Sequence, residues 1–201
     1  MSVDVVRDAY DRRADEYTDL FCSLEAMDER DRAFVSRWAD ALSGPVVDAG
    51  CGPGQWTDFL RRRGCDVEGV DLVPRFVDIA RSRFPDSSYR VGELHDLGVA
   101  DHSLAGILAW YSLIHTAPED VPRVLAEFAR CVRPDGGLVL GLFTGDRLEP
   151  FAHAVTTAHF WPLEDMTRLL AHAGFRVETT ESRVEPGKRP YLAIAARRAP
   201  A

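Results

Sequence analysis

The stretch VVDAGCGPGQW, Val46 to Trp56, constrains this chain more than any other. Its apolar start reads as a buried strand, three glycines and a proline then force a tight turn, and a helix opens at Gln55. Glycine takes positive φ without strain, and its missing Cβ lets a ligand come close to the main chain. The free N–H groups and positive dipole end of the following helix suit an anionic or strongly polar group. The site is therefore of a nucleotide type. Spacing narrows it further: Gly50, Gly52 and Gly54 follow GxGxG, whereas the dinucleotide pattern GxGxxG needs a glycine where this chain has Gln55. A phosphate loop ending in Gly-Lys-Ser/Thr is not present here either.

The rest of the chain alternates strand and helix patterns. Val3, Val6, Tyr10, Ala14, Tyr17 and Phe21 recur at spacings of three and four, which predicts one amphipathic helix. A second helix, about Asp28 to Leu42, stops at Ser43-Gly44-Pro45. Strand one is Val46 to Ala49, strand two starts near Asp66, and Pro74 opens the helix after it. A short strand follows near Tyr89–Val91. SLAGILAWYSL, from Ser103, is apolar enough for a strand buried on both faces. Thr116 to Glu119 forms a capping box ahead of a helix with Val121, Val124, Leu125, Phe128 and Val132 on one face. GGLVLGLF from Gly136, a helix from Leu163 to Ala173, and strands at about Arg176–Thr180 and Tyr191–Ala195 complete the order. This order implies a doubly wound α/β sheet, with its ligand beyond the carboxyl ends of the strands.

Composition excludes several functions. With 201 residues the chain is expected to form one domain, residues 1–201, with N-terminal helices over 1–44 and the α/β core over 45–201. A net charge of -8 with interspersed signs argues against nucleic acid, which needs a clustered basic face. No apolar run reaches the roughly 18 residues of a membrane span, and the charged N-terminus is unlike a signal peptide. Cys22, Cys51, Cys65 and Cys131 lack any paired spacing and read as reduced thiols, so no metal site is expected and the location is cytoplasmic.

Three segments then carry a family resemblance. VVDAGCGPG resembles the first motif of the class I S-adenosylmethionine-dependent methyltransferases, VEGVDLVP resembles their second, and RPDGGLVLGLF their post-helix turn and fifth strand. AYDRRADEY is similar to the N-terminal helix that many small-molecule members fold over the cofactor. The resemblance spans almost the whole chain and implies a Rossmann-like seven-stranded sheet with the last strand antiparallel, under an N-terminal helical lid. It implies that the main chain of Gly50, Cys51 and Gly52 faces the methionine part of S-adenosylmethionine, with Asp48 holding its ammonium. It further implies Asp71 on the ribose hydroxyls, Leu72 beside the adenine, and Glu93 with neighbouring Leu94 at the adenine amine. Ala109 would offer its carbonyl, with Trp110 and Tyr111 adjoining, and Tyr10 and Tyr17 would close over the carboxylate.

Some of these residues have a second reading. Asp71 can cap the helix that starts at Pro74, and as a strand-end acid it is expected to carry no core packing. Tyr10 and Tyr17 fit plain packing of their helix. Cys51 is not expected to act as a nucleophile, and His153 and His159 are candidates for the substrate pocket. The sulfonium is already a good leaving group, so the protein has mainly to align a nucleophile and exclude water. A protonated nucleophile also needs a base. His115 in WYSLIHT stands just past the fourth strand, has a suitable ordinary pKa, and is the candidate. Its alternative role is to organise the loop. The expected function is methyl transfer to a small molecule, by a monomer or homodimer. The alternative is a protein that binds S-adenosylmethionine without methyl transfer, using the pocket for another reaction or as a sensor.

Overall fold

Apolar side chains on alternate residues of the central strands point to opposite faces, and each face is covered by helices. The computed structural model describes residues 3–21 and 27–200; Cys22 and the side chain of Phe21 lie outside the described residues. The strands are β1 (Val46–Ala49), β2 (Val67–Asp71), β3 (Ser88–Val91), β4 (Leu104–Trp110) and β5 (Val132–Phe143), followed by β6 (Glu149–Ala152), β7 (Thr157–Phe160), β8 (Phe175–Arg183) and β9 (Tyr191–Arg198). The helices are α1 (Val3–Asp11), α2 (Ala14–Phe21), α3 (Glu29–Ala39), α4 (Gln55–Arg62), α5 (Pro74–Arg83), α6 (Val121–Cys131) and α7 (Leu163–His172).

Strands β3, β2, β1, β4 and β5 pair in parallel in that order, with Asp48 opposite Gly69 and Leu108, and Ala109 opposite Leu140. The order reverses at β1, so the β1 and β4 ends flank the crevice where ligands of open α/β sheets bind. Strand β9 runs antiparallel to both β5 and β8, as the family resemblance implied for the last strand. Val47, Ile107, Leu138 and Leu140 pack with Leu125, Phe128, Met166 and Leu170 on one face. Their neighbours Val46, Leu108 and Val139 pack with Phe34, Trp38, Trp56 and Leu60 on the other. Each fully buried side chain of this size contributes about 1.5–3 kcal/mol, so helices and sheet hold together through these two layers.

Four sequence expectations change. The sheet has nine strands rather than seven, because β6 and β7 form a hairpin within the segment after β5, which it joins only at Phe143 and Phe160. The first helix is two helices, broken at Arg12–Arg13, where Arg13 N–H bonds Tyr10 O at 3.0 Å in place of the longer helical bond. Strand β5 begins at Val132 rather than Gly136. Finally, the Thr116 capping box is not used. Turns closed by Thr116 N–H to Leu113 O (3.0 Å) and Asp120 N–H to Ala117 O (2.8 Å) replace it, and α6 starts at Val121 behind Asp120. Pro118 disfavours helical backbone at Ala117, whereas Pro122 sits in the first turn of α6, where its missing N–H leaves no bond unmade. His115 is thereby on an irregular loop, not at a helix cap.

Candidate functional site

One cleft of about 1210 Å³ runs across the β1 and β4 ends, roofed by α1 and α2. That exceeds the ~300–1,000 Å³ of a usual small-molecule site, so two ligands fit side by side. Its floor is the glycine turn. Gly50 and Gly52 have φ of +79° and +52°, values that side chains rarely adopt. A Cβ on Gly50 would stand 2.3 Å from Ser112 Cβ, which is why the β1 and β4 ends can meet there. A Cβ on Gly52 would meet nothing within 4 Å. The main chain at Gly52 is thus bare toward open space. Beside it, Ser112 Oγ is buried with no hydrogen-bond partner among the described residues. These two features fit a polar ligand that approaches the backbone.

Two acids flank the turn. Asp71 accepts hydrogen bonds from Gly52 N–H and Val73 N–H, both at 2.8 Å, so it ties the first turn to the start of α5. Burial pushes its carboxyl up to about 6, and the bonds from the Val73, Gly52 and Leu72 amides oppose that rise. Asp71 lines the cleft and closes a turn onto the Val73 amide, whereas the N-cap of α5 is Val73 and no side chain caps that helix. Asp71 carries structural weight beyond the expected absence of core packing, because three main-chain N–H groups bond to it. Asp48 is 1% exposed and accepts from the Thr57 hydroxyl at 2.7 Å. Burial raises its carboxyl to about 7, and the negative charge of Asp71 adds to the rise.

The opposite wall centres on His115, which is 4% exposed. Its Nδ1 is 2.7 Å from Thr157 O, a carbonyl that can only accept, so Nδ1 carries the proton. Nε2 is then an acceptor, and the Tyr10 hydroxyl 2.8 Å away donates to it. Burial lowers the His115 pKa, so the imidazole is neutral at pH 7 and its basic nitrogen faces Tyr10. Hairpin β6–β7 holds this loop a second time, through His159 N–H to Ile114 O at 3.0 Å. Tyr10 packs edge-on to Tyr17 and beside Phe76, and Arg13 donates to Ala154 O, so α1 is fastened to both α5 and the hairpin segment.

Most of the expected residues come together here. Tyr10, Tyr17, Asp48, Gly50, Cys51, Gly52, Asp71, Leu72, Glu93, Leu94, Tyr111 and His115 all line the cleft. Ala109 does not: β4 runs one residue further, and Ala109 is fully buried opposite Leu140. The Tyr10 hydroxyl is directed at His115 rather than being free for a carboxylate. Cys51 packs its thiol against Val77, Ala80 and Tyr89, and burial raises its pKa well above the ordinary value, so it is no nucleophile. Glu93 Oε2 lies 3.2 Å from His95 Nε2. His153 lines the cleft, but His159 does not. Sequence reasoning missed Thr57, which orients Asp48, and Ser112. Thr57 had a signal, standing in the first turn of α4. The carbonyl of Thr157 had none, since any residue supplies one.

Comparison with known proteins agrees with this geometry. Residues 46–136 match the methyltransferase domain family. The magnesium-protoporphyrin O-methyltransferase of Rhodobacter capsulatus is 40% identical over 114 residues, which cover 53% of this chain and 49% of that protein. The chain spans about half the length of the curated relatives it matches. Among solved structures, the 1,6-didemethyltoxoflavin-N1-methyltransferase of Burkholderia thailandensis, with its substrate and S-adenosylhomocysteine bound, superposes with a TM-score of 0.81. It is 23% identical and the match covers 98% of this chain and 88% of that one. The 4+2 cyclase SpnF superposes with a TM-score of 0.82 at 17% identity, covering 98% and 96%. The fold is that of the class I methyltransferases.

Proposed function

We propose that this chain transfers a methyl group from S-adenosylmethionine to a small-molecule acceptor, leaving S-adenosylhomocysteine. One observation carries the reading: a single cleft joins a glycine turn and Asp71 at one end to a buried neutral histidine at the other. The match of residues 46–136 to the methyltransferase domain supports it. The open space over Gly52, whose N–H is held by Asp71, and the partnerless Ser112 Oγ fit the polar methionine end of that cofactor. Asp48 would face its ammonium, Asp71 its ribose hydroxyls, and Leu72, Glu93 and Leu94 its adenine. When bound, the cofactor supplies a methyl group on a positively charged sulfur, already activated for displacement.

The chain's own residues do the rest. The floor orients and α1 with α2 exclude water, which matters because alignment supplies most of the acceleration in such a reaction. His115 Nε2 takes the proton of the acceptor, directly after displacing the Tyr10 hydroxyl or through it. Thr157 O holds Nδ1–H in place in either case and stabilises the imidazolium that forms. The cleft and the lid belong to one unit acting as a monomer or homodimer in the cytoplasm, on a small molecule rather than on nucleic acid. Among the described residues no helix is long and apolar enough to cross a membrane.

The test is turnover with methyl-labelled S-adenosylmethionine across a panel of small phenols, acids and amines. A product heavier by one labelled methyl is the expected result. The second reading, a pocket that binds the cofactor without methyl transfer, draws on SpnF, a cyclase with the same fold. Tight cofactor binding together with an acceptor converted without gain of a methyl would establish that reading instead.

A further inference from the structure

Beyond His115 the cleft is walled by rings. Tyr111 and Phe143 stand 4.9 Å apart, Trp110 and Tyr191 6.0 Å, and Tyr111 and Tyr191 6.1 Å, and all four line the cleft. Phe151 of β6 stands 5.4 Å from Phe143 but does not itself line the cleft. Trp110, Tyr111 and Phe143 are half-buried and offer ring faces to the cleft, whereas Tyr191 is buried and Arg183 stands 4.1 Å over its ring.

The cations that line the cleft are mostly neutralised. Arg13 is bonded twice to Glu16 at 2.9 Å, Arg183 pairs with Asp28 and Asp31, and Lys188 pairs with Glu185 at 2.6 Å. Arg189 differs. Its guanidinium lies 4.7 Å over the Phe151 ring and donates to Ala152 O at 3.1 Å, and it pairs with no carboxylate among the described residues. Arg123 also lacks an ion pair there, but it stands on α6 and stacks on no ring. In a chain of net charge -8, a cation left without an acid beside an aromatic wall is available to something else. His153, between the wall and His115, has a buried Nδ1 with no partner among the described residues. Its pKa is lowered to about 4, first by burial, then by His115, Arg189 and Arg13, so the Arg189 charge is felt inside the chamber.

We propose that the methyl acceptor is a planar aromatic anion, its ring against the Trp110, Tyr111 and Phe143 wall and its carboxylate on Arg189. This rests on the methyl-transfer reading of the cleft and adds the substrate class to it. A guanidinium already held flat by Phe151 presents its fork to a carboxylate at little ordering cost, which a lysine would not. His153, neutral at pH 7, brings no competing charge and leaves a nitrogen for a ring substituent.

The probes are 1-hydroxy-2-naphthoate and 1-naphthol, which share a ring system and differ by the carboxylate. Calorimetry on the full chain loaded with S-adenosylhomocysteine gives both affinities, after the cofactor product has been titrated alone into each variant. The naphthoate is expected to bind about tenfold tighter than the naphthol, the scale of one charge-assisted contact at a partly exposed site. Arg189→Gln should bring the ratio to about one, and Arg189→Lys should keep part of it. Tight S-adenosylhomocysteine binding with no preference, with a preference that survives Arg189→Gln, or with neither probe bound overturns this inference alone. Failure of S-adenosylhomocysteine to bind wild type overturns the reading beneath it.

Discussion

At the β1–β2 end of the cleft, the decisive hydrogen bonds join residues close in sequence: Thr57 to Asp48 across 9 positions, Gly52 to Asp71 across 19, and Val73 to Asp71 across 2. At the His115 end they reach across 42 positions to Thr157, 105 to Tyr10 and 141 from Arg13 to Ala154. The first end is built by one strand–turn–helix and its neighbour, and its geometry exists once two strands pair. The second needs α1, the loop after β4 and the hairpin segment to close on one another. Damage to the local end should therefore appear in cofactor affinity, and damage to the long-range end in turnover.

The largest effect should come from His115→Ala. Turnover is expected to fall about 10²–10⁴-fold, the scale of lost general-base catalysis, while S-adenosylhomocysteine affinity stays within about twofold. In wild type the rate should rise with pH through a value below 6.5, because burial lowers this pKa and the neutral form is the base. That limb should vanish in the variant. Tyr10→Phe keeps the base and removes one hydrogen bond, so a loss of about tenfold or less is expected. A large loss of cofactor affinity in His115→Ala would break the division between the two ends.

Next in size, Asp71→Ala should weaken S-adenosylhomocysteine binding by about 1.5–3 kcal/mol, as for charged hydrogen bonds lost. It should also lower Tm, since the Gly52, Leu72 and Val73 amides lose their acceptor. Unchanged affinity in a folded Asp71→Ala protein would show that the ribose is held elsewhere.

The smallest effect concerns pH and the ligand-free protein. Folding raises Asp48 to about 7 and Asp71 to about 6, so the folded state holds protons that the unfolded chain has released. That contribution is fully present below the unfolded carboxyl pKa of about 3.9 and is lost as pH rises through about 6–7. Stability should fall between pH 5 and pH 8, with Tm falling alongside it. Asp48→Asn should flatten most of that slope in thermal melts. A wild-type Tm that climbs over the same range would mean that both acids are already ionised in the fold.

What could be read from the sequence follows the same division. The turn at Gly50–Gly54 and the acid at Asp71 were legible because their function depends on residue type at fixed short spacing. The parallel order around β1 followed from apolar runs alternating with helices. The hairpin β6–β7 was not, since Glu149–Phe160 mixes polar and apolar residues with no clear period, and its pairing with β5 is a single contact. The break at Arg12–Arg13 was hidden because Tyr10 and Tyr17, seven positions apart, keep to one side with or without it. The displaced start of α6 reflects two prolines acting in opposite senses, which a capping pattern alone does not weigh. Ala109 stands one residue inside the end of β4, which runs to Trp110. His115 was found by its position after β4, but its partner Tyr10 comes from the far end of the chain.

The fastening of α1 has a kinetic meaning. This helix buries one residue, Ala9, and the ties across the cleft are the Tyr10–His115 hydrogen bond and, from the turn after α1, that of Arg13 to Ala154. Two such bonds are together worth about 1–3 kcal/mol net, and the packing of Tyr10 on Phe76 and Tyr17 adds to them, so a state with α1 swung away would be a minor one at rest. As the door of the proposed methyl transfer, α1 would open many times per catalytic cycle of ordinary speed, since lid motions take microseconds to milliseconds. Residence time of the product would then be set by the floor at Asp71, and the door would serve to keep water out only while both ligands hold it shut.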